Sequence, residues 1–359
     1  MPYNFSYDYD DYYAENFTTE ESHDDKPTYD FRAFARILTV IVYSVTCLLG
    51  LLGNGLVIAV ITFKMKKSVN AIWFLNLAAA DFLFNVFLPL TITYTAMDYH
   101  WVFGRAMCKI NSMVLILNMY TSVFLLTIIS IDRCLLVVFP VWSQNHRNPK
   151  MACLLCVFIW ALGFLMSSPS LVFRDTTMHR NLQTHEYIVS CFNNYSLSNS
   201  QFHHQGEMAQ TVVTIVRFLV GFVVPMSIIT ICYATILCRL QRSRFAKSKK
   251  LLKIIIIIIT TFFLCWCPYH VFHLLEIQHR KFPRQLFAIG MPLVTAVAVS
   301  NSCMNPVLYV FIGQDFKKFK LSILYRLVNA LSEDSTRSTI SRRNTGKISS
   351  VTEKESILL

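Results

Sequence analysis

Charge is scarce in this 359-residue chain: Asp, Glu, Lys and Arg together make up 15%, against roughly 25% in an ordinary soluble domain. That composition argues against a water-soluble enzyme. Glycine and proline are also scarce, at 10 and 11 residues, which excludes collagen-like and low-complexity disordered chains. The amino terminus lacks the basic start and short apolar core of a cleavable signal peptide, so the first apolar run is expected to act as an uncleaved insertion signal. Metal-ligand spacing, a nucleophile elbow and a phosphate-cradling glycine loop are all missing, which leaves an enzyme without a constellation. No cysteine follows Cys303, so the end of the chain offers no acceptor for a palmitoyl anchor.

What is present is long apolar runs. A bilayer core about 30 Å thick needs roughly 20 apolar residues at 1.5 Å rise each. Seven such stretches are predicted, at about 37–63, 70–97, 106–138, 152–173, 209–238, 253–277 and 285–312. The sixth contains the unbroken run Ile254 to Ile259. The second and third carry polar residues and so cannot simply face lipid.

Basic residues orient the bundle, because short cytoplasmic loops collect Lys and Arg. Segments 64–68, 139–151, 239–253 and 313–330 carry +3, +2, +7 and +3, whereas residues 1–36 net −6 from nine acids and three bases. The overall +12 is therefore topological, and gives no reason to invoke a nucleic-acid partner. An extracellular acidic tail is expected over 1–36, the seven-helix bundle over 37–312, a membrane-surface helix over 313–329 and a cytoplasmic Ser/Thr-rich tail over 330–359. Arg280, Lys281 and Arg284 run against the trend, on the outer side.

Glycosylation acceptor patterns start at Asn4, Asn16 and Asn194, all on the expected outer side. Of 11 cysteines, only Cys108 and Cys191 fall in oxidising space, and they are expected to form a disulfide. Asp81 is an ionisable group inside a span, which marks a functional candidate; a hydrogen-bond network that merely fixes helix packing is the plainer alternative. Pro225, Pro268 and Pro306 interrupt spans five, six and seven and allow kinks.

Read in order, these features resemble the rhodopsin-like G-protein-coupled receptors over essentially the whole chain. The matching residues are Gly53-Asn54, Leu77 to Asp81, Asp132-Arg133-Cys134, Trp160, Pro225 with Tyr233, Cys265-Trp266-Cys267-Pro268 and Asn305-Pro306-Val307-Leu308-Tyr309. Two positions depart from the family pattern: Cys134 stands where a Tyr is usual, and Val123 where an Ile is expected. Cys134 followed by Pro140 to Arg147 is similar to the chemoattractant receptors for formyl peptides, complement anaphylatoxins and chemerin. Ala96 to Gly104, Asn301 to Pro306 and Gly313 to Lys320 look nearest to the chemerin-binding branch.

The resemblance implies a plasma-membrane receptor with no catalytic residues. Its implied partners are a chemerin-like peptide or protein agonist, a heterotrimeric G protein of the inhibitory type, arrestin, receptor kinases and membrane lipids. An activation switch is implied at Asp132, Arg133, Tyr233, Phe262, Trp266, Pro268, Asn305, Pro306 and Tyr309, with Arg133 paired to Asp132 at rest. An allosteric sodium ion is implied at Asp81, Asn118, Ser122, Asn301 and Asn305, with no other cofactor or metal. Leu115 and Val299 stand where amine receptors carry an Asp and opsins a Lys, so a cationic amine and a retinal Schiff base do not fit. Arg217, about two turns outside Pro225, suits a peptide carboxylate; Ser112, Tyr269, His270, His273 and Glu276 join it as lining candidates, with satisfied packing the plainer reading for the two histidines. The tyrosine-rich acidic strip Tyr7 to Tyr13 would attract a basic ligand and could accept sulfation. Ser335, Thr336, Ser338, Thr339, Ser349 and Ser350 are candidate phosphorylation sites. An ion-coupled transporter built around Asp81 is the rival from another class, but the internal repeats common in transporters are not apparent.

Overall fold

The computed structural model describes residues 26–65, 67–180, 187–195, 203–241 and 249–312. The acidic strip with Asn4 and Asn16, the expected surface helix 313–329 and the tail with its phosphorylation candidates lie outside them. The chain divides into units 1–307 and 308–359, and of the second only 308–312 are described, as the end of the last helix.

Three long helices come first: α1 (Lys26–Lys64), α2 (Val69–Ala96) and α3 (Gly104–Val138). A short α4 (Pro140–His146) leads into α5 (Pro149–Ser167) and α6 (Pro169–Phe173), which together make the fourth span. The hairpin β1 (Arg174–Arg180) and β2 (Tyr187–Asn193) follows. The fifth span is α7 (His203–Phe218), a π-helical turn at Leu219–Val223 and α8 (Val224–Gln241); α9 (Lys249–Glu276) and α10 (Arg284–Ile312) complete the bundle. Six of these spans are long and apolar enough to cross a membrane, and α9, which contains the six-isoleucine run, is the seventh. The observed helices match the seven expected runs within a few residues, except that α1 starts well outside Ile37.

Local chemistry sets several of the ends. Ser68 caps α2 by accepting from the Ala71 N–H at 3.2 Å, and Asn148 caps α5 by accepting from the Met151 N–H at 2.8 Å, with Pro149 in the first turn. In the fifth span, Pro225 has no N–H to give to the α ladder. The turn ahead of it widens, and the Val224 N–H donates to the Leu219 carbonyl, five residues back.

Helix α3 is the axis of the bundle. In its most apolar stretch 78% of residues are buried, against 28% in the fourth and fifth spans. It packs against α2, α5, α6, α8, α4 and β1. Polar residues along its middle are thus interior residues: Asn118, Thr121, Ser122, Thr127 and Ser130 are all buried.

The amino-terminal end of α3, expected on the outer side, is pinned. Cys108 and Cys191 form the expected disulfide, with Cα atoms 5.8 Å apart. In the antiparallel hairpin Thr176 faces Cys191. Arg105 grips Asp175 with Nε–Oδ1 at 2.7 Å and Nη2–Oδ2 at 2.9 Å, and Lys109 donates to the Leu171 carbonyl at 2.8 Å. The loop after α2 adds the Trp101 N–H, which donates to the Val189 carbonyl at 2.7 Å.

Helices α1 and α10 approach closely at Gly53. A Cβ there would stand 2.7 Å from Pro306 Cβ and 3.0 Å from its Cγ, against a ring that has no rotamer to yield. Gly53→Ala is expected to destabilise the bundle by roughly 1–3 kcal/mol through overpacking. Thermal unfolding of the purified protein in detergent measures this; an unchanged midpoint would contradict the contact.

Candidate functional site

Three zones of the bundle hold the polar residues that an apolar environment makes expensive. The first is central. Asp81, fully buried on α2, takes Asn118 Nδ2 from α3 on Oδ1 at 2.9 Å and Asn305 Nδ2 from α10 on Oδ2 at 2.8 Å. Around it, Asn85 donates to the Asp81 carbonyl at 2.7 Å and to Ser302 Oγ at 3.1 Å, and Asn54 donates to the Ser302 carbonyl at 2.9 Å. Ser122, one turn below Asn118, is buried, and its hydroxyl has no hydrogen-bond partner among the described residues. Asn301 is buried one turn before Asn305, but no hydrogen bond joins it to Asp81. Four of the five residues read as a set therefore lie on three helices around one carboxylate or on its turn of α3. Asn54, Asn85 and Ser302 extend the network.

The second zone is at the carboxyl-terminal end of α3, which the basic loops place on the expected inner side. Asp132 and Arg133 approach only to 3.6 Å, through Nη2 and Oδ2. Arg147, just beyond α4, instead takes both carboxylate oxygens of Asp132, with Nε–Oδ1 at 2.7 Å and Nη2–Oδ2 at 3.1 Å. The Asn70 side-chain oxygen accepts from both arginines. The Asp132–Arg133 pair expected at rest is thus present, as the longest contact of a four-residue cluster. Tyr233 is buried on α8, with Ser130 and the Arg133 charge beside it. Tyr309 lies in α10, at a position whose side chain is outside the described set.

The third zone is the outer half. Arg217 on α7 reaches the Tyr269 hydroxyl of α9, with Tyr195 and Tyr120 close enough to interact with its charge. Burial holds the Tyr195 phenol above its ordinary value and the Arg217 charge opposes that shift, as expected for a phenol facing a guanidinium. On α9, His273 Nδ1 bonds Glu276 Oε2 at 2.8 Å, and its ring meets Tyr269 at 4.4 Å between centroids. His270 is packed among Phe218, Phe222 and Tyr269, and its buried Nε2 has no hydrogen-bond partner among the described residues. Ser112 is half-buried on α3, one turn in from the disulfide. A cavity of about 230 Å³ adjoins this zone, lined by Tyr120, Met166, Ser170, Val213 and Arg217 among others. Below it, Trp266 contacts Tyr269 edge-on at 5.4 Å and Phe262 at 5.9 Å; Trp266 and Phe262 are both buried, and Pro268 lies between Trp266 and Tyr269 in the same helix.

The sequence profile of the family described as "7 transmembrane receptor (rhodopsin family)" matches residues 53–309. The chain belongs to that family. It is 57% identical to the pig protein named Chemerin-like receptor 1, covering 98% of each chain, and 58% identical to the human one over 94% of this chain and 91% of that one. It is 40% identical to the rainbow trout C3a anaphylatoxin chemotactic receptor, over 88% of this chain and 85% of that one.

Several residues of this rhodopsin-family receptor's site escaped the sequence reading. Tyr120, Tyr195, Met166 and Ser170 reach the outer zone only through tertiary packing. Asn70 carried a usable signal, as a lone amide at the start of α2, whereas Arg147 meets Asp132 only through the turn that α4 makes.

The central carboxylate generates a test. Asn118→Ala removes one of two amide donors from a buried group and should destabilise by about 1–3 kcal/mol. Repeated in an Asp81→Asn background, the same change should be smaller, since an uncharged amide has less need of the donor. Equal losses in both backgrounds, read from melting midpoints, would separate Asn118 from Asp81.

Proposed function

We propose that the protein is a plasma-membrane receptor for a chemoattractant peptide or protein of the chemerin type, signalling through a heterotrimeric G protein of the inhibitory class. The observation that carries this reading is Arg217, a guanidinium set among three phenols in the outer half of an apolar bundle. A single fork of that kind suits a carboxylate, such as the free end of a peptide chain. The names of the pig and human relatives supply chemerin as the agonist, and the trout C3a receptor supports the wider chemoattractant group. The disulfide at the outer end of α3 and the basic inner loops support an extracellular amino terminus. From there the acidic strip Tyr7 to Tyr13 would make a diffuse first contact with a basic ligand while the ligand's tail enters the bundle.

At the inner face, the buried Arg133 is the group offered to the G protein once α9 moves outward, with Tyr233 and Tyr309 as its new neighbours. Arrestin, receptor kinases and membrane lipids are the further partners of this reading, which assigns no catalytic chemistry. A transporter centred on Asp81 would carry solute without nucleotide exchange, and the family membership argues against it.

Asp81, Ser122, Asn118, Asn301 and Asn305 would hold a sodium ion. Two observations fit that cation: among the described residues the carboxylate has no basic partner, and the Ser122 hydroxyl on the neighbouring helix has no hydrogen-bond partner. The ion would add positive charge beside Asp81 and stabilise the resting arrangement through its higher affinity for that state.

Titrating the carboxyl-terminal peptide of chemerin against nucleotide exchange on a purified heterotrimer tests the main reading. Arg217→Ala should shift the half-maximal concentration upward by at least tenfold, and Arg217→Lys by less, because a point charge keeps attraction but loses the fork. Unchanged potency in Arg217→Ala would remove the carboxylate assignment. Agonist affinity should also fall when sodium replaces choline as the buffer cation, and Asp81→Asn should abolish that dependence; equal sodium dependence in the variant would refute the ion site.

A further inference from the structure

We propose that Arg147 is a positioning residue that occupies the Asp132 carboxylate and thereby leaves Arg133 free to leave its resting place. The inference rests on the receptor reading given above. Its basis is the uneven sharing of one carboxylate between two guanidiniums. Arg147 makes two charge-assisted bonds, at 2.7 and 3.1 Å, whereas Arg133 makes one contact at 3.6 Å. Bonds of the first kind are strong and orientation-specific; a single contact at the longer distance is weak.

The local backbone explains why Arg147 wins. Helix α4 ends when the Arg147 N–H donates to the Ser143 carbonyl at 3.0 Å, and Arg147 itself is extended, at φ −79° and ψ 97°. That extended residue turns its side chain back to α3 instead of continuing along α4. Asn70 completes the arrangement by offering its side-chain oxygen to both arginines. Arg133 is left with this shared amide acceptor, and its Nε has no partner among the described residues. Without Arg147, the Asp132 carboxylate would be open to a two-pronged bond with its own neighbour, and Arg133 would be held more tightly at rest.

Position makes this consequential. Arg147 follows a helix exposed on both apolar and polar side chains, with Val141 at 72% and Trp142 at 50% exposure beside the exposed Gln144, Asn145 and His146. Any protein that engages α4 on the cytoplasmic side therefore acts on the segment that decides which arginine holds Asp132.

The test compares Arg147→Ala, Arg147→Lys, Asp132→Asn and the Asp132→Asn/Arg147→Ala pair in the full-length receptor. In nucleotide exchange, Arg147→Ala should lower basal turnover and raise the agonist concentration needed by on the order of fivefold, a usual allosteric coupling. Arg147→Lys should fall between wild type and Ala. In the Asp132→Asn background Arg147→Ala should add nothing, because the carboxylate it screens is gone. Raised or unchanged basal exchange in Arg147→Ala, or an equal shift in both backgrounds, overturns the proposal. A second readout needs no G protein: melting midpoints of wild type, Arg147→Ala, Asp132→Asn and the double variant should show coupling between positions 132 and 147, and strict additivity there overturns the proposal by itself. If the cycle shows the coupling but wild type shows no agonist-dependent exchange, the receptor reading fails and the Arg147–Asp132 pairing stands.

Discussion

A carboxylate in the middle of an apolar bundle dictates much of what surrounds it. Asp81 is tolerable there because two amide donors, from α3 and α10, reach its two oxygens. Those bonds set the axial register of three helices at once. Sliding α3 or α10 by a single turn, about 5.4 Å, would carry Asn118 or Asn305 out of reach of the carboxylate. The Asn54–Ser302 bond extends the same constraint to α1, and the closeness of Gly53 to Pro306 shows how little slack remains there.

Fixing α3 in register also fixes what it carries at its two ends. The helix has 35 residues and so is roughly 52 Å long. One end bears the disulfide that holds the outer hairpin, and the other bears Asp132 and Arg133. Between the outer and inner zones, Tyr269, Trp266 and Phe262 are in ring contact along α9. Arg217 touches the top of that column through Tyr269, so a ligand group that draws Arg217 away also withdraws a partner from the column.

The seven spans were legible because the membrane requirement is local: about 20 apolar residues in a row have few other uses. The disulfide could be read because compartment and topology left two cysteines on the oxidising side. The hairpin was not read, since its strands contain charged and polar residues such as Arg174, Asp175 and His179 and owe their place to Cys191 and to backbone bonds from the loop after α2. Asp81, Asn118 and Asn305 stood out because polar groups are rare in such segments. Arg147 did not, because it lies 15 residues beyond Asp132 and meets it only after α4 has turned the chain back. The outer zone was half readable: Arg217, Tyr269 and Glu276 stood out as polar groups near helix ends, whereas Tyr120 and Tyr195 look like ordinary aromatics until packing places them around a guanidinium.

The widened turn at Leu219–Val223 does more than accommodate Pro225. A π turn holds about one residue more than an α turn, and each residue advances a helix by about 100°. The two halves of the fifth span are therefore set in different angular phases. With the turn in place, Arg217 meets the tyrosines while Tyr233, sixteen positions on, still faces Arg133. In an unbroken α-helix those two faces would be out of step by roughly a quarter turn, so the irregularity lets one span address a ligand at one end and a partner protein at the other.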